Sequence, residues 1–346
     1  MRFLAPLAHE TWFHKGQYPT DWAFATEPLT LLLLGTAVLI TVAVRVLARF
    51  VPGIDVPFLG AMAPWMPFAV RMHLAVSLVA LLSLGFYLSP AMDLQTNVSG
   101  ILLGAVMAIA AVGMATGWHA RAAAALLVAA GPLGMLEFGF WAVAQRVDML
   151  GLALFVLIAG AGRWSADYER GKASDYTLAD AAKAIWSLRM AAGVALIVVA
   201  FVEKLATPEL ALAFLQDRPD LNLPQQLGLP MSTLDFIRIA GAIEVLFGLL
   251  LISGALPQAA VLIAGVPFNA TLWFFGINEL AGHLPIYGAM LVLLVYGSDP
   301  ELRAATQELW PFGHRRSRDQ EAVSPGKLIS RDKRRPEIGA GAHAGS

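Results

Sequence analysis

Nine apolar runs of roughly membrane-spanning length constrain the fold of this chain more than any other feature. A bilayer core about 30 Å thick takes roughly 20 residues of helix. Runs of that kind lie at Leu29 to Ala48, Ala69 to Leu88, Val98 to Gly117, Ala120 to Val143, Asp148 to Trp164, Ile185 to Ala206, Leu234 to Gly254, Pro257 to Gly276 and Glu279 to Ser298. Lipid offers the backbone no hydrogen bonds, so open chain cannot cross it and such runs are expected to be helical. Composition agrees: 58% of residues are hydrophobic and 14% charged, with a mean hydropathy of +0.65, whereas soluble chains are about half apolar and a quarter charged. The expected fold class is all-α, a polytopic transmembrane helical bundle whose first partner is the lipid bilayer.

Charge and cysteine content exclude several functions. A formal net charge of −1 without a basic cluster in the body of the chain gives no footprint for nucleic acid. With no cysteine, the chain has no disulfide, thiolate nucleophile, covalent haem of the Cys-x-x-Cys-His type or cysteine-ligated iron–sulfur cluster. Redox chemistry here would need a diffusible carrier or a partner protein.

Basic residues in short loops favour the cytoplasmic side. With the N-terminus outside, only Arg2, Lys15, Arg146, Lys204, Arg218 and Arg238 of the 24 Lys and Arg remain external. The expected location is the cell inner membrane, with the C-terminus cytoplasmic. From Asp299 onward apolar periodicity gives way to Arg, Lys, Ser, Pro and Gly, a composition expected to stay disordered. Ala-Pro-Leu-Ala before His9 resembles the small-residue cleavage site of a signal segment that begins upstream of Met1.

The runs are not independent. A displacement of 137 sets Gly104 on Gly241, Gly117 on Gly254, Phe138-Gly139 on Phe275-Gly276, Gly151 on Gly288 and Gly160 on Gly297, and a displacement of 118 sets Arg71-Met72 on Arg189-Met190. The expected organisation is an external N-terminus with one leading helix (1–68), a first four-helix unit (69–166), a linker (167–184), a second four-helix unit (185–298) and a tail (299–346). Units with an even number of spans run the same way, so the repeats are parallel. Recurrent glycines also have a plain packing explanation, because small residues let membrane helices approach closely.

Ionisable groups inside hydrocarbon are costly and mark functional candidates, and they concentrate in the second unit. Glu244 is expected near mid-membrane, with Arg238 nearer the external end. Lys204 follows Glu203 at the outer end of the sixth run, Asn269 lies in the outer half of the eighth, and Glu279 and His283 share a helix face at the start of the ninth. The first unit has Met107, Pro132 and Arg146 where the second has Glu244, Asn269 and His283, although Glu137 remains an acid within its fourth span. Glu244 and His283 are therefore the candidate reactive groups, with Lys204, Arg238, Asn269 and Glu279 as candidate ligand-binding groups. Interhelical ion pairs that only fix packing account for the same residues equally well. The spacing of His9, His14, Glu279 and His283 does not demand a metal, and His73 and His283 are expected at opposite ends of their spans, which disfavours a haem held by both.

The second unit resembles the DoxX family of bacterial membrane proteins. The resemblance rests on Arg189-Met190 with Gly193, Glu203-Lys204, the run Ala240-Gly241-Ala242-Ile243-Glu244-Val245-Leu246-Phe247-Gly248 with Gly254, and Glu279-Leu280-Ala281-Gly282-His283-Leu284-Pro285. It covers about Trp186 to Ser298, and Arg71 to Ala166 looks like a diverged second copy. The resemblance implies a four-helix membrane bundle with cytoplasmic ends, and association with redox complexes; some relatives resemble the membrane subunit of thiosulfate:quinone oxidoreductase. This chain departs from the simple pattern by its duplication, its leading helix and its lack of cysteine. The expected function is an accessory or quinone-interacting subunit of a membrane redox system, with quinone as cofactor and a redox protein as partner. A small-solute transporter and a non-catalytic scaffold are the alternatives.

Overall fold

A computed structural model describes residues 18–307 apart from 52, 54, 55, 174, 175 and 276, and leaves the side chains of 270–281 and 307 outside the description. The described residues fold as helices: α1 (Pro28–Leu47), α2 (Met66–Ser83), α3 (Val98–Thr116), α4 (Ala120–Phe138), α5 (Val147–Ala159), α6 (Leu178–Val199), α7 (Pro208–Asp217), α8 (Thr233–Ser253), α9 (Pro257–Phe275), α10 (Ile277–Gly297) and α11 (Pro300–Gln307), with shorter turns between them.

Among the described residues, six helical stretches are long and apolar enough to cross a membrane: Pro28–Leu47, Pro57–Ser83, Val98–Thr116, Ala120–Phe138, Leu178–Leu205 and Thr233–Ser253. The fifth expected span shrinks to the 13 residues of α5, about 20 Å of rise at 1.5 Å per residue, short of a bilayer core. It shortens because Gly139 (φ 91°) ends α4, Phe140–Ala144 forms a separate turn, and Gly160 (φ 85°) closes α5. Apolar residues point outward as well as inward. On α1, Leu32 is 65% and Leu39 70% exposed, an arrangement unfavourable in water and favourable in lipid.

Helix α2 packs on α3, α3 on α4, α4 on α5 and α5 back on α2, closing one ring. A second ring runs from α6 to α8, α8 to α9, α9 to α10 and α10 to α6. The rings meet where α5 lies along α6 and α10 along α2, and α1 lies against α8. Most of the core is one continuous apolar cluster spanning both rings, from Met66 and Leu74 to Leu188, Val292 and Tyr296.

The two tight joints share one backbone form. Gly117 (φ 64°) ends α3 and His119 (φ 48°) opens α4; Gly254 (φ 63°) ends α8 and Leu256 (φ 44°) precedes α9. Left-handed glycine is the favoured way to stop a helix. A non-glycine residue in the same region two positions later costs strain, so the sharp reversal needs both. The segment expected to begin a disordered tail opens instead with α11. Asp299 accepts hydrogen bonds at Oδ1 from the amides of Glu301 and Leu302, and proline stands at the first helical position.

Candidate functional site

The ionisable groups singled out in the second ring separate into three places. Lys204 and Glu244 come together: Lys204 Nζ lies 3.1 Å from Glu244 Oε1. Lys204 stands on a π-helix, Ala200–Leu205, that continues α6 and in which the amide of Ala206 donates to the carbonyl of Phe201. Such single π turns re-aim side chains and are common at functional positions. Glu244 Oε2 is enclosed and has no hydrogen-bond partner among the described residues.

Arg238 turns away from that pair. Its guanidinium bonds Glu27 at the start of α1 and Asp235 one turn back on α8 at 2.7 Å, and it lies 4.3 Å from the ring centre of Phe24. These contacts clamp the leading helix to α8. Asn269 is exposed, and its Nδ2 donates to the carbonyl of Gly265 one turn earlier at 2.7 Å. The side chain of Glu279 lies outside the described residues, as do His9 and His14. Glu137 accepts hydrogen bonds from Asn97 Nδ2 (2.9 Å) and Ser99 Oγ (2.6 Å), which ties α4 to the start of α3.

His283 occupies the third place, a cleft at the seam between the rings. Its buried imidazole stands edge-on to Phe268, with ring centres 5.0 Å apart, and 6.4 Å from the ring of Tyr287. The Tyr287 hydroxyl donates to the carbonyl of Phe268, holding α10 to α9 on that side. The opposite wall comes from the first ring. Arg146, immediately before α5, directs Nη1 and Nη2 at the carbonyl oxygen of Gly282 at 3.4 and 3.3 Å, while its Nε lies 3.7 Å from Asp148 Oδ1. Arg146 and Asp148 are 3% and 6% exposed. Asp148 sits in the first turn of α5, where the helix dipole favours a carboxylate.

Gln145, Ala195, Leu196, Val199 and Ile286 complete the lining, and the space has room for about two water molecules. The contacts across it are long for charge-assisted hydrogen bonds, which run about 2.7–2.9 Å, and Asp148 Oδ1 accepts no hydrogen bond among the described residues. A buried guanidinium, a carboxylate and an imidazole thus converge on one small, largely apolar space. Chemically the set can hold one electronegative atom and exchange a proton with it.

The sequence reading confined the site to the second unit; Arg146 and Asp148 join it from the first. The signal was present in the displacement of 137, which pairs Arg146 with His283. The paired positions face each other across the seam.

Outside the spans, Arg218 and Asp220 form a bidentate pair at 3.0 and 2.8 Å, and the hydrogen bond from Arg218 holds the Asp220 carboxyl below its ordinary range. Among the described residues no group of three or more His, Cys, Asp or Glu could hold a metal. Comparison with protein-family models, curated proteins and solved structures finds no match to this chain.

Proposed function

We propose that this chain is a polytopic protein of the cell inner membrane, built as a leading helix and two DoxX-like units, and that it serves a membrane redox system as a quinone-interacting accessory subunit. The observation that carries the reading is the convergence of buried Arg146, Asp148 and His283 on one small space at the seam. A quinone presents one carbonyl oxygen to such a set and leaves its ring and tail to apolar surroundings. The space admits the oxygen end, with Phe268 and Ile286 beside the ring. Arg146 supplies positive charge to an oxygen that becomes negative on reduction, and His283 supplies or accepts a proton. Electrons come from a partner protein, since the chain carries no cysteine for an iron–sulfur cluster. The matched joints at Gly117 and Gly254 support the duplicated build, and the basic residues on one side support an external N-terminus.

Adding a short-chain quinone analogue to the purified protein should raise its melting temperature, and His283→Ala should abolish the rise while leaving the ligand-free protein folded. No rise with the wild-type protein would count against the reading.

Arg238 favours a second reading. Its engagement with Glu27 and Asp235 has the form of a packing clamp, as a non-catalytic scaffold would use. On that reading, exchanging the charges of Lys204 and Glu244 leaves every function of the protein intact.

A further inference from the structure

Arg71 and Arg189 occupy corresponding places in the two rings, each lying against the left-handed glycine that ends the neighbouring helix, Gly117 and Gly254 respectively. Their hydrogen bonding differs completely. Arg71 donates from Nε to the carbonyl of Ala161 (2.8 Å), from Nη1 to Met114 (2.6 Å) and from Nη2 to Trp164 (2.8 Å). Two of those carbonyls belong to a loop that bends around the guanidinium through left-handed Gly162 and Trp164. In the second ring the chain leaves Gly297 and enters α11 at Pro300, so the corresponding carbonyls belong to a helix start and no cage forms. Arg189 is 5% exposed, and its guanidinium makes no hydrogen bond among the described residues, with Nε wholly enclosed.

A small cavity takes the place of the cage. Arg189, Arg303, Thr306 and Tyr296 line it together with Ile185, Pro257 and Leu293, and among the described residues no carboxylate does. Arg303 Nη1 donates to the carbonyl of Gly297 at 2.9 Å, which holds its guanidinium beside the cavity. The Asp299 carboxylate is occupied in capping α11, and Arg45 of α1 adds further positive charge nearby. The space has room for about one water molecule. Along α6, Arg189 lies ten residues before Val199 of the seam cleft, about 15 Å of rise, so the two sites are separate.

We infer that this cavity binds a small inorganic anion, of which chloride has the fitting size, between Arg189 and Arg303. A buried cation without an acceptor is unfavourable, and a monatomic anion supplies what the lost carbonyl cage supplied to Arg71. Phosphate, whether free or on a lipid headgroup, offers similar charge but is too large for a space of this size.

The test is the melting temperature of the full-length protein in mild detergent, with gluconate replaced by chloride at constant ionic strength. Saturating chloride is expected to raise it by about 5 °C. Arg189→Met should lose the response, and Arg303→Gln should weaken it, which keeps the test decisive if Arg189→Met does not fold. Arg71→Met should be less stable yet respond as the wild type does. A wild-type protein indifferent to chloride, or equal responses in all variants, would overturn the inference. So would stabilisation by phosphate or phosphatidylglycerol with none by chloride.

Discussion

Arg146 and His283 face each other across one buried cleft, the arginine guanidinium resting on the carbonyl of Gly282, the residue before the histidine. Two helical rings are therefore joined by a polar contact at the seam. Breaking one half of a buried charge pair strands the other half, at a cost of about 3–5 kcal/mol. Arg146→Met should destabilise the protein on that scale in detergent unfolding, and Arg146→Met with Asp148→Leu should recover most of the loss. Additive losses would mean that the two residues do not share an environment.

Lys204 and Glu244 are tied by one ion pair across α6 and α8. Lys204→Met and Glu244→Gln should each lower stability, and the double variant should lose less than their sum, with a coupling of about 0.5–3 kcal/mol. A double-variant cycle in thermal unfolding reads this directly.

Gly193 and Gly248 are opposed at the crossing of the same helices. A Cβ on either would stand 2.6 Å from the carbonyl oxygen of the other. Because that obstacle is backbone, no rotamer change relieves it. Alanine at either position should cost about 1–3 kcal/mol, whereas Gly35→Ala, with nothing within 4 Å of its Cβ, should be tolerated.

Tyr87 is wholly buried, and its hydroxyl has no hydrogen-bond partner among the described residues. Burial pushes the phenol up to about 12 from an ordinary 10.0. Between those values the unfolded chain releases a proton that the folded chain keeps, so stability falls as pH rises through that window. Tyr87→Phe should leave stability at neutral pH within about 1 kcal/mol of wild type and lose less stability than wild type above pH 10. Unfolding curves at pH 8 and pH 10.5 check both parts.

The helices were legible because a bilayer imposes length and hydropathy together; α1, α3 and α8 begin and end within a residue or so of the expected borders. The tight joints were legible from Gly117 and Gly254. Facing was not legible. Helices apolar on all sides carry no amphipathic stripe to say which side meets which neighbour, so nothing local announced that α5 would lie along α6. Arg146 was read as the residue that replaced His283, when the structure brings the two to one cleft. Arg238 and Glu27 are far apart in sequence and share no motif, and the π turn that aims Lys204 has no signature in Ala-Phe-Val-Glu-Lys-Leu.

The most direct measurement is mass spectrometry of small molecules extracted from the protein purified in mild detergent, comparing wild type with Glu244→Gln and with His283→Ala. The account predicts quinone bound to the wild type, retained in Glu244→Gln and lost in His283→Ala at unchanged yield of folded protein. Absence of quinone from the wild type, or equal amounts in all three, would contradict it.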